Sequence, residues 1–199
     1  MINAELGHCK TVEEFYKSIR EQQEAAHGKD YCLQHDAVRK YAPDCMTYAE
    51  LGVHQGGTLA NALLAGFKYV EGVDIDMHRY EKFLKPLAEK YAHLNRIILT
   101  MKEVSSTDLN SLGPNVDMMV IDSLHHPTHL ARELDMHSRR VKKYIIAHDT
   151  SILHGKPNAA LYDMLVSFCA SKLDRLDKKR WKIIERNEEN VGYTVLKLV

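Results

Sequence analysis

The sequence has few cysteines, and they lie far apart. Four occur among 199 residues, and no two form a CxxC pair: Cys9, Cys32, Cys45 and Cys169. This spacing argues against a structural zinc knuckle and against a dense disulfide scaffold. The start, MINAELGHCKTVEEF, has no basic region followed by an apolar core, so no secretory signal is expected. We therefore expect a reduced, cytoplasmic protein.

An excess of charge of one sign and long apolar runs are also lacking. Lysine plus arginine equals aspartate plus glutamate, at 27 each, so no global field would attract nucleic acid or an anionic membrane. No apolar run approaches the roughly 20 residues of a membrane span. The basic stretch KLDRLDKKRWK, residues 172–182, is interpreted as a solvated helix end. We expect the partner to be a small molecule. Binding to nucleic acid or to a membrane is not expected, and assembly into a homo-oligomer is left open.

The length and composition are those of one globular unit with a sizeable core. Hydrophobic residues make up 45% and charged residues 27% of the chain. Two helices are predicted before Pro43, at residues 11–26 and 30–41. Residues 1–43 are therefore expected to form an N-terminal helical segment packed on a main domain at residues 44–199.

After Pro43, strands and helices alternate. Strands are predicted at 46–51, 68–75, 96–101, 117–121 and 144–147, and helices at 58–65, 80–91, 128–139 and 159–173. This alternation implies parallel pairing with right-handed crossovers, the α/β class. The tail adds two strands, 181–185 and 193–199, joined by RNEENVG, so the last strand is expected to be antiparallel. In such sheets, ligands bind beyond the carboxyl ends of the strands.

The turn after the first strand, ELGVHQGGT, is rich in glycine but does not fit a phosphate. In the dinucleotide pattern G-x-G-x-x-G, Gly52 and Gly57 hold the outer positions, but His54 takes the middle one and would obstruct a diphosphate. A P-loop is excluded because no G-K-[ST] follows. Asp74, at the end of the second strand, could accept hydrogen bonds from both ribose hydroxyls. This combination favours a binding site for S-adenosylmethionine. The alternative interpretation is a tight strand–helix turn followed by a surface aspartate.

With these motifs, residues 46–199 resemble the class I S-adenosylmethionine-dependent methyltransferases. ELGVHQGGT is similar to the first motif of that family and VEGVDID to the second. The resemblance implies a Rossmann-like, doubly wound sheet of seven strands in the order 3-2-1-4-5-7-6, with extra N-terminal helices. It also implies the residues that bind the cofactor. Glu50, Gly52, Gly56 and Asp122 would border the methionine part. Asp74 would hold the ribose, and Ser105 and Ser106 would lie by the adenine.

Three histidines crowd the segment after the fourth strand, VIDSLHHPTH. DSLHHPTHLAREL, followed by KKYIIAHDT, is similar to the rhamnosyl O-methyltransferase and cephalosporin-hydroxylase-like group. That resemblance implies a divalent cation held by Asp122 and Asp149, with residue 148 also close. The chain departs from the pattern at His148, where the relatives look acidic. Imidazole is a softer ligand and shifts the metal preference toward Mn²⁺, Fe²⁺ or Zn²⁺.

The residues themselves are consistent with such a site. Asp122 and Asp149 end neighbouring strands, and two converging carboxylates repel each other unless a cation or a proton joins them. Oxygen ligands suit Mg²⁺ or Mn²⁺, and a coordinated hydroxyl has a lowered pKa. His125 or His126 could take the hydroxyl proton. The predicted activity is therefore a metal-assisted O-methyltransferase that uses S-adenosylmethionine to modify a small hydroxylated molecule, such as a sugar or a phenol.

Two other functions remain open, a noncatalytic nucleoside-binding module and a metal hydrolase. The hydrolase would use a zinc site built from Asp122, His125, His129 and Asp149. His129 is otherwise interpreted as structural, Glu133 as either a buried partner of the site or a plain helix acid, and His137 as a surface residue. The acceptor pocket is expected to be shaped by the N-terminal helices, the loop 151–158 and the RNEENVG turn.

Overall fold

The computed structural model describes residues 5–153, 156–157, 159–171 and 181–199. The predicted helix end at 172–173, most of the basic stretch 172–182 and part of the loop 151–158 lie outside the described residues.

A seven-stranded sheet forms the centre of the molecule. Its strands are β1 (Thr47–Leu51), β2 (Tyr69–Asp74), β3 (Ile98–Glu103), β4 (Val116–Ile121), β5 (Val141–His148), β6 (Trp181–Asn187) and β7 (Tyr193–Leu198). The strand order is 3-2-1-4-5-7-6, and β1 to β5 pair in parallel. Strand β7 runs antiparallel to both β5 and β6. The predicted class and strand order are thus confirmed. A separate short antiparallel pair joins Ile152–Leu153 to Lys156–Pro157.

Helices lie on both sides of the sheet. They are α1 (Val12–His27), α2 (Leu33–Tyr41), α3 (Gly57–Leu64), α4 (His78–Phe83), α5 (Lys85–Asn95), α6 (Pro127–His137) and α7 (Ala160–Ala170), with 3-10 turns at Ala42–Asp44 and Ser138–Arg140. In the described part of the chain, no helix combines the length and apolarity needed to cross a bilayer.

Strand β4 shows how the sequence builds the core. Met118 and Val120 belong to the hydrophobic cluster that includes α1 and α2, whereas Met119 and Ile121 belong to the cluster that includes α6 and α7. Successive side chains of a strand point to opposite faces, so a strand buried on both faces is a continuous apolar run. The run DMMVI is therefore buried throughout its length except at Asp117.

The prediction of one helix at 80–91 is wrong. Helix α4 ends at Phe83 and α5 begins at Lys85, with Pro86 in its first turn. Proline has no backbone N–H, and its ring clashes with the carbonyl one turn earlier, but it fits the first turn of a new helix. The chain therefore restarts its helix at this point, and Leu84 between the two helices is fully buried.

The two N-terminal helices share the core of the sheet. Phe15 and Ile19 on α1 are fully buried in the same cluster as β4 residues. Polar contacts add to this packing: His35 Nε2 lies 3.1 Å from Thr58 Oγ1, and Asn61 Nδ2 donates to the His35 carbonyl at 2.9 Å. Helices α1 and α2 are therefore docked on α3, which begins directly after the glycine turn.

Candidate active site

A cleft of about 470 Å³ opens beyond the carboxyl ends of β1, β4 and β5. The glycine turn forms one wall, and the α1–α2 region and the β6–β7 turn face it. The side chain of Asn190, in the β6–β7 turn, donates to the His27 carbonyl at 2.7 Å and joins these two walls. Among the described residues, the titratable ones that line the cleft are His27, Tyr31, His35, Glu50, His54, Asp122, His125, His148 and Asp149.

Two histidines link the carboxylates of Asp122 and Asp149. The Nε2 atom of His125 lies 3.1 Å from Asp122 Oδ1, and its Nδ1 atom lies 2.8 Å from Asp149 Oδ2. The Nδ1 atom of His148 lies 2.9 Å from the same Asp122 oxygen and 3.2 Å from Asp149 Oδ1. The structure thus brings together all three residues that the sequence assigned to a metal, and their role as ligands stays a prediction.

The charges in this cluster stabilise one another. Burial alone would raise the pKa of Asp122, but the charges of His148 and His125 and their hydrogen bonds hold it well below its usual value. Burial likewise opposes protonation of His125, yet its hydrogen bonds to Asp122 and Asp149 and their charges raise its pKa to about 10. The pKa of His148 is raised against burial by the same two carboxylates. His125 is therefore an imidazolium between two carboxylates at neutral pH.

The donor atoms of the cluster fit a divalent cation. Asp122, His125 and His148 each offer a ligand atom within 4.8 Å of the others. The Oδ1 atom of Asp149 is buried and, among the described residues, accepts no hydrogen bond of acceptable geometry. Mixed imidazole and carboxylate donors are the ligands of Mn²⁺, Fe²⁺ and Zn²⁺, and an all-oxygen set would suit Mg²⁺ better.

The glycine turn lies against the end of β4 and needs two of its glycines. Gly52 has φ +91°, and a Cβ atom there would lie 2.2 Å from the carbonyl oxygen of Asp122. Gly56, which precedes α3, has φ +88°, and its Cβ would lie 2.4 Å from a methyl carbon of Leu84. Only glycine adopts such conformations without strain. The glycine turn is therefore a direct neighbour of the acid–histidine cluster, which comprises Asp122, His125, His148 and Asp149.

Asp74 caps the glycine turn. Its Oδ2 atom accepts hydrogen bonds from the backbone N–H groups of Val53 and His54, both at 2.8 Å, and its Oδ1 atom accepts one from Asp76 at 3.1 Å. A carboxylate oxygen has further acceptor capacity, so these bonds leave room for ribose hydroxyls. Ile75, which the sequence reasoning missed, is 75% exposed and provides an apolar surface beside this acid. The sequence feature that could have indicated Ile75 is its position directly after Asp74, an acid at the end of a strand.

Glu50 lies at the inner end of the cleft and is 1% exposed. Burial, together with the charges of Asp122 and Asp74, raises the pKa of Glu50 well above its ordinary value, against the effect of a 2.7 Å hydrogen bond from the Tyr48 hydroxyl. Burial therefore favours the protonated form of the Glu50 carboxyl group, which can donate as well as accept a hydrogen bond.

The two serines assigned to the adenine have other contacts in this structure. Ser105 Oγ lies 2.9 Å from Thr107 Oγ1 at the surface. Ser106 is buried, and its Oγ lies 2.9 Å from His129 Nε2. The same nitrogen lies 3.2 Å from Glu133, which is fully buried. The adenine role of these serines stays a prediction, and Glu133 is a buried partner of the network behind the cleft.

Three further histidines that the sequence singled out, His126, His129 and His137, do not line the cleft. His126 is exposed, caps α6 by accepting from Thr128 N at 3.3 Å, and does not line the cleft. His129 lies in the network of Ser106, so the four-residue zinc set of the hydrolase alternative is not assembled. The expectation that His137 lies at the surface is wrong, because it is fully buried and its Nε2 donates to the Ser106 carbonyl at 2.7 Å. The sequence could have indicated this burial, because His137 has the helical spacing from Leu130 and Leu134 that places all three on one face of α6.

Known structures match the fold of this chain at low sequence identity. No family model and no curated protein sequence matches it. A candidate caffeoyl-CoA O-methyltransferase from Staphylococcus aureus is 10% identical, with a TM-score of 0.63 over 92% of each chain. A candidate rRNA-methylase from Clostridium thermocellum is 12% identical, with a TM-score of 0.59 over 84% of this chain and 94% of that one. A candidate methyltransferase from Streptococcus mutans, in complex with SAH, is 12% identical, with a TM-score of 0.55 over 84% of this chain and 96% of that one. The chain therefore has the fold of the class I S-adenosylmethionine-dependent methyltransferases.

Proposed function

We propose that the protein transfers the methyl group of S-adenosylmethionine to a hydroxyl of a small molecule, such as a sugar or a phenol, with a divalent cation in the same cleft. The observation that carries this proposal is the contact between the two halves of the site. Gly52 of the cofactor turn packs against the backbone of Asp122, which belongs to the acid–histidine cluster. A cofactor on the turn would therefore place its methyl group beside that cluster.

The cofactor part of the proposal uses the glycine-turn wall. Asp74 would accept from the ribose hydroxyls, and Ile75 offers an apolar surface that a purine ring can cover. Ser105 and Ser106 would lie toward the adenine. The methionine part would lie along the turn, near residues that line or shape the inner cleft: Glu50, Gly52, Gly56 and Asp122.

The metal part assigns Asp122, His148 and Asp149 as the residues that would hold a divalent cation. A cation bound there supplies Lewis-acid chemistry, which lowers the pKa of a coordinated substrate hydroxyl. Two potential ligand atoms that lie close together support this assignment: the buried Oδ1 atom of Asp149 and the Nδ1 atom of His148, 3.2 Å away. Mn²⁺ is favoured over Mg²⁺ because one of the three ligands is an imidazole.

Proton transfer is assigned to His125. It lines the cleft beside both carboxylates, whereas His126 does not, so His125 is the better candidate for the proton of the acceptor hydroxyl. The carboxylates that keep His125 protonated would be neutralised by a bound cation, which brings the imidazole pKa back toward neutrality. The acceptor oxygen then forms the new bond to the methyl carbon, the carbon–sulfur bond breaks, and the cofactor leaves as a neutral thioether. Alignment of oxygen, carbon and sulfur is the main contribution of the fold.

The acceptor would enter from the side of the α1–α2 region. The ring of Tyr31 lines the cleft, stacks on His27 at 4.4 Å between ring centroids and meets His148 edge-on at 6.2 Å. Aromatic side chains of this kind bind the faces of sugar or phenol rings. The pKa of Tyr31 is raised by burial and by the charges of Asp122 and Asp149, so its hydroxyl stays a neutral hydrogen-bond donor.

Calorimetry with the purified protein tests both parts. We expect S-adenosylhomocysteine to bind, and Mn²⁺ to bind more tightly than Mg²⁺. Asp149→Asn should lose most Mn²⁺ affinity and keep S-adenosylhomocysteine affinity within about threefold, because Asp149 follows β5 and is not among the residues assigned to the cofactor. Asp135→Asn, an exposed acid on α6, serves as the matched control. A wild-type protein that binds no S-adenosylhomocysteine would refute the proposed function.

A further inference from the structure

His54 stands in the glycine turn at the position where a dinucleotide fold has its middle glycine. Its backbone has φ +50°, and its side chain lines the cleft. Its backbone N–H donates to Asp74, the acid assigned to the ribose. The imidazole is therefore attached to the segment that this acid holds, and it lies at the nucleoside side of the cleft.

A guanidinium group determines which ring nitrogen of His54 carries a proton. The Nη1 atom of Arg79 lies 2.6 Å from His54 Nε2. Arginine has only donors and keeps its proton, so the nitrogen that faces it must be an unprotonated acceptor. The proton of a neutral imidazole then resides on Nδ1. In the described part of the chain, no hydrogen bond occupies that Nδ1 atom.

Among the described residues, the charged groups around His54 come from three elements. Arg79 on α4 disfavours a second positive charge, whereas Asp74 at the end of β2 and Asp122 after β4 favour one. Burial and the charge of Arg79 prevail, and the pKa of His54 is lowered. The ring is therefore neutral at physiological pH, in agreement with the hydrogen-bond geometry.

We propose that Arg79 holds His54 as a neutral Nδ1–H donor that hydrogen-bonds the ribose of the bound cofactor. His54 is then a cofactor-binding residue, and Arg79 is a positioning residue that acts through it. A neutral donor binds an oxygen of the ribose without adding a positive charge close to the sulfonium of S-adenosylmethionine. This inference rests on the proposed function for the identity of the cofactor, but the protonation of His54 does not depend on it.

The cofactor contact is tested by calorimetry with two probes that share the ribose, S-adenosylhomocysteine and 5′-methylthioadenosine. His54→Gly keeps the backbone conformation and removes the donor, so we expect both probes to bind about fivefold more weakly, the size of one neutral hydrogen bond. His54→Asn places an amide donor near the position of Nδ1 and tolerates positive φ, so it should restore both affinities to within about twofold. Unchanged binding by His54→Gly would overturn the contact, and so would a loss confined to S-adenosylhomocysteine.

The positioning role of Arg79 is tested without cofactor, by ¹⁵N-histidine NMR between pH 5 and pH 8. The signal of His54 is assigned by its absence in His54→Asn. In the wild type we expect a neutral Nδ1–H ring at pH 8 that takes up a proton only at lower pH than an ordinary histidine does. Arg79→Met should raise the pH at which the ring titrates, and Lys82→Met, an exposed cation on the same helix, should not. Identical titration of His54 in the wild type and in Arg79→Met would overturn the role of Arg79. A wild type that binds neither probe would contradict the proposed cofactor and leave this readout unaffected.

Discussion

The Nδ1 atom of His148 lies 2.9 Å from the Oδ1 atom of Asp122, and this contact joins the ends of two neighbouring parallel strands. His125 completes the arrangement from the loop that follows β4, where it contacts both Asp122 and Asp149. Two acids and two imidazoles thus form one cluster in which each charge has a partner of opposite sign. A divalent cation that uses the same carboxylates must compete with the protonated imidazole of His125 for them.

Binding of Mn²⁺ should therefore release protons. The pKa of His125 is raised to about 10 by the carboxylates that the cation would neutralise, so this residue is protonated at pH 7.5 before binding. We expect about one proton to leave per ion bound, since metal ligands bind in their deprotonated forms. The measurement is calorimetry in buffers of different ionisation enthalpy. His125→Gln should bind Mn²⁺ with much less dependence on the buffer, and equal dependence in both proteins would contradict this account.

The same histidine predicts how stability changes at high pH in the absence of metal. Its folded pKa of about 10 lies above the ordinary value of 6.5, so its contribution is fully present below pH 6.5 and is lost as pH rises through 10. At about 1.4 kcal/mol for each unit of pKa shift, the full contribution is about 5 kcal/mol, of which roughly 3 kcal/mol is lost between pH 7 and pH 9.5. Urea unfolding at pH 7 and pH 9.5 measures it. His125→Gln should lose less free energy of unfolding over this interval than the wild type does.

The sheet and the meeting of the two acids could be predicted from sequence because both follow from simple rules. The segments DMMVI and YIIA are short apolar runs, the pattern of strands buried on both faces. Parallel neighbours end at the same edge of a sheet, so Asp122 and Asp149 had to lie near each other once β4 and β5 were paired. The two strands joined by RNEENVG could be predicted to form an antiparallel hairpin, because they lie at the tail of the chain and because the resembled family has a reversed last strand.

The contacts of the histidines could not be predicted in this way. His125 reaches both carboxylates because of the local path of residues 122–127, and Asp149 turns toward it with φ +55°. No periodicity encodes such a path. The partners of Ser106 depend on which face α6 turns to the sheet, and that face also buries His137. The pairing of His54 with Arg79 likewise needs the position of α4, whose start was predicted two residues late.

Gly52→Ala should destabilise the protein much more than an equivalent substitution elsewhere. A Cβ at Gly52 would lie 2.2 Å from a backbone oxygen at φ +91°, whereas Gly66, with φ +92°, has no atom within 4 Å among the described residues. Gly66→Ala therefore measures backbone strain alone, about 1–2 kcal/mol. Gly52→Ala adds the overlap, for about 3–5 kcal/mol in total. Chemical denaturation of the two variants provides the comparison, and similar losses would show that the turn can move away from Asp122.

Protonation of His35 should weaken the docking of α2 at low pH. This residue is 1% exposed, and burial, followed by the charges of Arg20 and His148, lowers its pKa to about 3. Between pH 6.5 and pH 3 the unfolded chain takes up a proton at His35 that the folded protein refuses, so stability falls as pH falls through this window. We expect a loss of about 2–3 kcal/mol between pH 6.5 and pH 4.5, which urea unfolding measures. His35→Gln should remove most of this dependence, whereas His93→Gln, at an exposed position of α5, should keep it. If both variants kept the wild-type slope, other groups would be responsible for the acid sensitivity of the fold.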